Sequence, residues 1–430
     1  MLQTSDEIQV VQPWSNFQKI LFRFFFLFFS LTSLTFSNIF LVLLNGDRNT
    51  PYSFLIKPIY FLETHFFHIG YKQEMGSTEL VSSLFGWLLF FMIIFLCVLG
   101  TTIWSIFDRK TQGYQKPNYW FSNYLAYYLC IAMIGNYAIS KIIPTQMPYP
   151  DAGTLLRPIG SFSKFGLAWI FLGSSPGYER FTGICELLAC ALIIFQRTRV
   201  LGALIMAAVL TNVVSLNIYY NIIVKLPAIL LLVTAVYVLV PYLGKLFSFF
   251  YSLKPVSLKV KRYEFSTQWK KYLVMALPII PIWICYTAID FNLKYDNYLQ
   301  GIRKSQLLYD VSLFSATDST AQLDPAASIW KKFAITGAFR NDAMILDTKD
   351  ERTAFAYSFD SLSHLLILTN LEDTSKKFNF NYSKPTGESM VLTGHWNNQQ
   401  VRIQLNRIDI KSFPLLGDKT KWMYSEGVNP

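Results

Sequence analysis

Residues 79–106 read ELVSSLFGWLLFFMIIFLCVLGTTIWSI, and after Glu79 no charged side chain occurs until Asp108, beyond the end of the run. An α-helix rises about 1.5 Å per residue, so roughly 20 such residues cross the ~30 Å hydrocarbon layer of a bilayer. A stretch apolar on every face has no side to turn to water, and it reads as a membrane span rather than an amphipathic helix. The pattern recurs over Phe17–Leu44, Tyr119–Ile143, Tyr178–Phe195, Val200–Leu216, Ile222–Phe247 and Trp269–Ile289, which gives about seven transmembrane helices. Lys19 and Arg23 precede the first run as in a signal peptide, but the run is too long and lacks a small-residue cleavage site, so it is expected to stay as an anchor.

Composition agrees. Of 430 residues, 52% are hydrophobic, 17% aromatic and 15% charged, against about 25% charged in soluble domains. This excludes an ordinary cytosolic enzyme and a disordered chain alike. The net charge of +11 is concentrated: residues 1–299 carry 23 Lys+Arg against 13 Asp+Glu, whereas residues 300–430 carry 15 against 14. A basic excess confined to the apolar part suits loops facing anionic lipid, and no basic stripe with interleaved stacking aromatics points to nucleic acid. Cys97, Cys130, Cys185, Cys190 and Cys285 all lie in apolar runs without a C-x-x-C pair, so neither a disulfide framework nor a zinc site follows.

The basic residues also set an orientation. Lys19, Arg23, Arg109, Lys110, Arg197, Arg199 and the Lys254–Lys271 segment fall on one side of the spans and outnumber those on the other, which places the N-terminus in the cytoplasm. Everything after about Asp290 is then periplasmic or otherwise extracytoplasmic. There the pattern changes to short alternating runs at Phe333–Phe339, Thr353–Phe359, Leu365–Leu371, Lys377–Tyr382, Met390–Trp396 and Val401–Leu405, with Asn397-Asn398 as a tight turn. The expected architecture is an α-helical integral membrane bundle with a small C-terminal antiparallel β domain, a sandwich or a barrel. Its parts are helices 1–2 and an outer loop (1–118), a helical core (119–248), a basic cytoplasmic linker and last helix (249–290), and a connecting arm followed by the β domain (291–430).

A carboxylate in mid-membrane is costly and by default functional, and Glu186 is that residue here. Lys141, Gln146, Arg157, Tyr220 and Lys225 are expected at the outer ends or loops of neighbouring segments, with Asn212 roughly 9 Å deep on the next helix and Asn217 near its outer surface. Two readings stay open. In one, Glu186 balances Lys141, Lys225 or Arg157 and Asn212 bonds a neighbouring helix. In the other, Glu186, Lys141 and Lys225 carry chemistry in an outward pocket whose small, quinone-like ligand is held by Asn212, Asn217, Tyr220, Gln146 and Arg157.

The stretch Phe181–Leu230, with Glu186, Arg197-x-Arg199, Leu201-Gly202-Ala203, Asn212, Leu216-Asn217, Tyr220 and Val224-Lys225-Leu226, resembles the core of the DoxX/DoxD-like membrane proteins. Tyr137, Lys141, Gln146, Pro148 and Pro158 resemble the segment before that core in longer members. The resemblance implies a four-helix core and, for some members, a role as the small membrane subunit of a quinone-linked oxidoreductase. The chain departs from it at Asn221 and Leu230, where the family usually carries an acidic residue and often a histidine.

Other motifs carry less. His65-x-x-His68 with Glu63 puts two imidazoles on one helical face without a further metal ligand. Walker, G-x-G-x-x-G, G-x-S-x-G and HExxH motifs are absent. The sequence therefore points to an inner-membrane protein linked to quinone or thiol redox chemistry, the chemistry coming from a redox partner or a bound quinone. The alternative is a non-enzymatic envelope scaffold whose β domain binds a partner protein. Reporter fusions test the topology: alkaline phosphatase fused after Pro430 is expected to be active and a green fluorescent fusion there dark, and the reverse would overturn both orientation and span count.

Overall fold

The structure is a computed structural model that describes residues 13–35, 61, 64–66, 84–147, 149–258, 267–316, 329–336, 342–386, 388–397 and 399–417. These form two compact units, Met1–Ile142 with Phe181–Asp290, and Ile143–Arg180 with Phe291–Pro430.

The helical unit contains α1 (Asn16–Thr35), α2 (Leu84–Phe107) and α3 (Gln115–Ile142), the last passing through a π-helical turn at Ile134–Ala138. Two short helices that belong to the second unit, α4 (Ala152–Leu155) and α5 (Lys164–Gly173), precede α6 (Pro176–Ile194) in the chain, and α7 (Arg199–Tyr219), α8 (Lys225–Leu239) and α9 (Leu243–Phe250) follow. Pro241 lies in a 3-10 turn between α8 and α9. Its missing N–H and its ring interrupt the α-helical ladder there. Five helical spans among the described residues are long and apolar enough to cross a membrane: Asn16–Leu34, Gly86–Phe107, Gln115–Ile142, Arg199–Tyr219 and Lys225–Phe250.

Aromatic rings fill the seam where α1, α3 and α8 meet: Tyr237 lies 5.1 Å from Phe29 and 5.9 Å from Phe121, both edge-on. Such edge-to-face pairs set the electropositive rim of one ring against the face of the next. A polar joint ties the start of α3 to the first two helices. Arg23 is buried and donates to the Tyr114 hydroxyl at 2.9 Å, to Ser105 Oγ at 2.8 Å and to the Asp108 carbonyl at 2.7 Å. Thr111 and Tyr114 donate to the Asp108 carboxylate, and these bonds hold its pKa down at about 2.

The second unit is built on a closed antiparallel barrel of eight strands in sequential order. These are β1 (Leu307–Ala316), β2 (Trp330–Ile335), β3 (Asp342–Asp347), β4 (Arg352–Asp360), β5 (Leu365–Asn370), β6 (Lys377–Thr386), β7 (Ser389–Trp396) and β8 (Gln399–Arg407). β1 pairs with β8, from Tyr309 opposite Arg407 to Ala316 opposite Val401. An eight-stranded barrel is just wide enough to be filled by side chains, and Trp330, Phe333, Phe355, Phe380 and Trp396 fill this one. Trp396 lies 5.2 Å from Trp330 and 4.4 Å from Phe378. Gly394 makes room for that core, because a Cβ there would sit 2.8 Å from Phe380 Cδ1. On the outer face, Leu308 and Ala334 pack with Ala152 of α4.

Of the two architectures expected for the β domain, a sandwich or a barrel, the barrel is the one present. Other expectations change. Two of its strands, β1 and β3, were not foreseen. β1 falls within the expected connecting arm, and its Leu308 and Tyr309 are both buried because one faces α4 and the other the barrel interior. Covering both faces removes the period of two by which strands are read. The expected helix Trp269–Ile289 is two helices, α10 (Gln268–Ala276) and α11 (Ile279–Ser305), separated at Leu277-Pro278. Proline disfavours helix in the residue before it, and α11 then continues past the expected end. Asn397 turns between β7 and β8 with φ 48°, a left-handed conformation that asparagine tolerates. Glu63, His68, Pro148, Pro325 and Asn398 lie outside the described residues.

Closure sets the boundary of a folding fragment. A fragment of residues 302–417 is expected to give a β-type circular dichroism spectrum and a cooperative melt. One of residues 331–417 lacks β1 and Trp330, leaves β2 and β8 with open edges, and is expected to aggregate or remain unfolded. A cooperative melt from the shorter fragment would show that β1 is dispensable.

Candidate functional site

Glu186 stands near the middle of α6 and Lys141 in the last turn of α3, and both are almost completely buried, at 1% and 6% exposure. The Lys141 ammonium donates directly to Glu186 Oε1, forming an ion pair inside the helical unit. The approach of the two helices depends on Gly183, one turn before Glu186. A Cβ there would lie 2.7 Å from the Ala138 carbonyl oxygen and 2.9 Å from Lys141 Cβ. The π turn at Ile134–Ala138 shifts the α3 register just before Lys141. Such turns insert one residue and re-aim the side chains that follow. Tyr137 presents its ring to the Lys141 ammonium at 5.9 Å from the centroid.

One valence of the site stays open. Glu186 Oε2 is buried and accepts no hydrogen bond from the described residues. Further along the same seam, Cys130 Sγ lies 3.4 Å from the Cys190 carbonyl oxygen and Cys190 Sγ 4.0 Å from that of Cys130. All five cysteines are free thiols. The arrangement can hold a proton or a hydrogen-bonding ligand between an ammonium and a carboxylate in a surround of low dielectric, where both interactions are stronger than in water.

The other candidates do not all gather here. Lys225 donates to Asn221 Oδ1 at 2.8 Å and to the Ile222 carbonyl at 3.0 Å, closing its own turn at the start of α8. Asn217 is buried, but its amide donates to the Val224 carbonyl at 3.3 Å across the α7–α8 connection. Asn212 and Tyr220 are exposed on α7 and at its end. Arg157 and Gln146 belong to the second unit. There Arg157 donates to the Ser161 carbonyl at 2.8 Å and covers the Phe162 ring at 4.1 Å, lining a cavity of about 280 Å³ with Tyr149 and Arg303. Gln146 is half-buried before α4. The structure thus brings Lys141 to Glu186 and leaves Lys225, Asn212, Asn217 and Tyr220 in other local roles.

Glu179 and Arg199 are among the buried polar groups that sequence reading did not place in a site. Glu179, in the first turn of α6, accepts from the Met147 amide at 3.1 Å. Arg199, counted among the charges of a cytoplasmic loop, is 5% exposed. It donates from Nη1 to Asn123 Oδ1 at 2.6 Å and from Nε to the Ile193 carbonyl at 3.0 Å. An amide within the aromatic run of α3 is the one signal that could have revealed the partner.

No family model and no solved structure matches the chain. It is similar to the uncharacterized protein YwoB of Bacillus subtilis (strain 168), with 41% identity over 58 residues, 14% of this chain. The match spans 38% of YwoB.

The pair makes a reciprocal test. Glu186→Gln leaves the Lys141 ammonium buried without its counter-charge, and the expected loss is about 3–5 kcal/mol, seen as lower folded yield and melting temperature. Replacing both groups, as Lys141→Met with Glu186→Leu, is expected to recover most of that loss because apolar side chains bring no desolvation cost. A Glu186→Gln protein as stable as the parent would show that no ion pair forms there.

Proposed function

We propose that this chain is a DoxX-like integral protein of the inner membrane that serves as a membrane subunit for quinone- or thiol-linked redox chemistry. In this reading its N-terminus is cytoplasmic, about seven helices cross the bilayer, and the barrel is extracytoplasmic. Supporting it are the five long apolar helices and the outward-facing Phe91, Phe95, Ile103 and Ile106 of α2, which lipid would cover.

The observation that carries the site is the open valence of Glu186 beside Lys141. A buried polar atom without a partner costs free energy that a ligand hydroxyl could offset. Lys141 can donate to a carbonyl and Glu186 Oε2 can accept from a hydroxyl, the two complementary groups that a quinone and its reduced form present. When bound, a quinone supplies reversible two-electron, two-proton chemistry. The chain's own residues orient the ligand, exclude water and hold a proton at Glu186 or Lys141. Entry requires α6 to part from α3, and α3 carries a π turn just before Lys141, a feature found frequently at functional sites. Cys130 and Cys190 offer a thiol pair on the same seam.

One observation favours the scaffold alternative. The barrel interior is filled by aromatic and aliphatic side chains, so the barrel meets other molecules only through its outer surface and loops. A partner protein held there would make the helical unit an anchor.

Detergent-purified full-length protein separates the two. Organic extraction and mass spectrometry are expected to recover a quinone from the parent and little from the Lys141→Met/Glu186→Leu double variant. Equal quinone in both would remove the site, and a stoichiometric soluble partner without any quinone would establish the scaffold.

A further inference from the structure

Among the described residues the helical unit holds three buried cations, and two of them have an acid. Arg23 lies 3.6 Å from an Asp108 carboxylate oxygen, and Lys141 is paired with Glu186. Arg199 has no Asp or Glu within ion-pair distance among the described residues, and its Nη2 donates to none of their acceptors. A buried charge without a counter-charge is costly enough that one is expected from elsewhere.

Arg199 lines a cavity of about 1160 Å³ within the helical unit, and among the described residues no Asp or Glu contributes to its walls. The cavity has two characters. Its lining includes polar side chains, Arg197, Arg199, Asn123 and Asn118, and apolar ones, Phe22, Phe25, Val233 and Val236. Asn123 and Asn118 are held in place. Asn123 Nδ2 donates to the Tyr119 carbonyl at 2.7 Å, which turns its Oδ1 to Arg199. Asn118 accepts from the Tyr237 hydroxyl at 3.0 Å. With Nε and Nη1 so engaged, the guanidinium is fixed in plane and its remaining N–H groups are available to fork onto an anion.

We propose that this cavity binds an anionic phospholipid, its phosphate on Arg199 and Arg197 and its acyl chains along Phe22, Phe25, Val233 and Val236. The volume is far larger than a single phosphate needs, and the apolar lining suits a chain-bearing ligand. In the orientation proposed above, on which this step rests, Arg197 and Arg199 face the leaflet rich in anionic lipid, where basic pockets between helices take lipid head groups.

The test uses the delipidated full-length protein in detergent, with binding read by native mass spectrometry and by thermal shift. Phosphatidylglycerol is expected to bind at least about tenfold more tightly than phosphatidylcholine, because both offer phosphate oxygens but the choline ammonium brings a further positive charge against Arg197 and Arg199. Arg199→Gln is expected to abolish that preference, and Arg199→Lys to retain part of it. Val236→Trp, which fills the apolar lining and leaves the charges alone, is expected to weaken both lipids and keeps the test decisive if Arg199→Gln does not fold. Equal binding of the two lipids by the parent, or an unchanged preference in Arg199→Gln, would overturn the proposal. Displacement of the lipid by inorganic phosphate alone would assign the site to a free anion and overturn the lipid reading.

Discussion

A charge carried into an apolar bundle needs its counter-charge within reach, and between α3 and α6 that need dictates how close two backbones come. Lys141 and Glu186 meet because Gly183 presents no side chain to the Ala138 carbonyl and the Lys141 stem. Any larger residue would push α6 away and separate the two charges. The same closeness continues along α6 at Ala189 and Cys190, which are fully buried, and at Gly202 of α7, whose Cβ would lie 2.8 Å from the Ala189 carbonyl oxygen. Small residues let helices approach where no hydrophobic force drives them together, because lipid is as apolar as the helix surface. The seam thus holds the polar pair by packing, and the pair in turn penalises any alternative packing that would strand one charge.

The joint between α1, α2 and α3 works by saturation instead. Arg23 spends its donors on a hydroxyl, a second hydroxyl and a carbonyl, and Asp108 receives from Thr111 and Tyr114. Because the folded-state pKa of Asp108 is depressed to about 2, its contribution is present above the ordinary carboxylate range and is lost only as pH falls through that value. Asp108 therefore stays ionised throughout the neutral range. Arg199 differs: it is equally buried, but its bonds go to the Ile193 carbonyl and Asn123, and no acid among the described residues pairs with it.

In the second unit the constraint is the backbone. A sheet with free edges exposes a row of donors and acceptors, and the pairing of β1 with β8 removes both edges at once. The strands most visible in sequence, such as β6 with Phe378 and Phe380 and β8 with Val401, Ile403 and Leu405, keep strict alternation. β3 does not, because Ala343, Ile345 and Leu346 are all buried while Met344 packs on the outer cluster with Ala152 and Leu308. Alternation reports a strand with one wet face, so the strands that close and cover the barrel are the ones it hides. Helix existence was readable from composition, whereas the break at Pro278 and the extension of α11 to Ser305 depended on local chemistry that a hydropathy window averages away.

The site was readable only in part, for a geometric reason. Glu186 is recognisable as the acid within an apolar run, but its partner lies 45 residues away, and nothing local chooses Lys141 over Lys225 or Arg157. Depth along a helix axis is easy to read from residue number, while direction around the axis is not. Asn212 and Asn217 are five residues apart, which at about 100° per residue places them roughly 140° apart on the helix circumference. They cannot both face inward, and the structure buries Asn217 and exposes Asn212. Arg197 and Arg199 separate in the same way: one is exposed and the other is drawn under the end of the bundle onto Asn123. A basic pair that looks like loop charge in sequence is thereby divided into a surface cation and a buried one, and only the buried one needs a partner that the described chain does not provide.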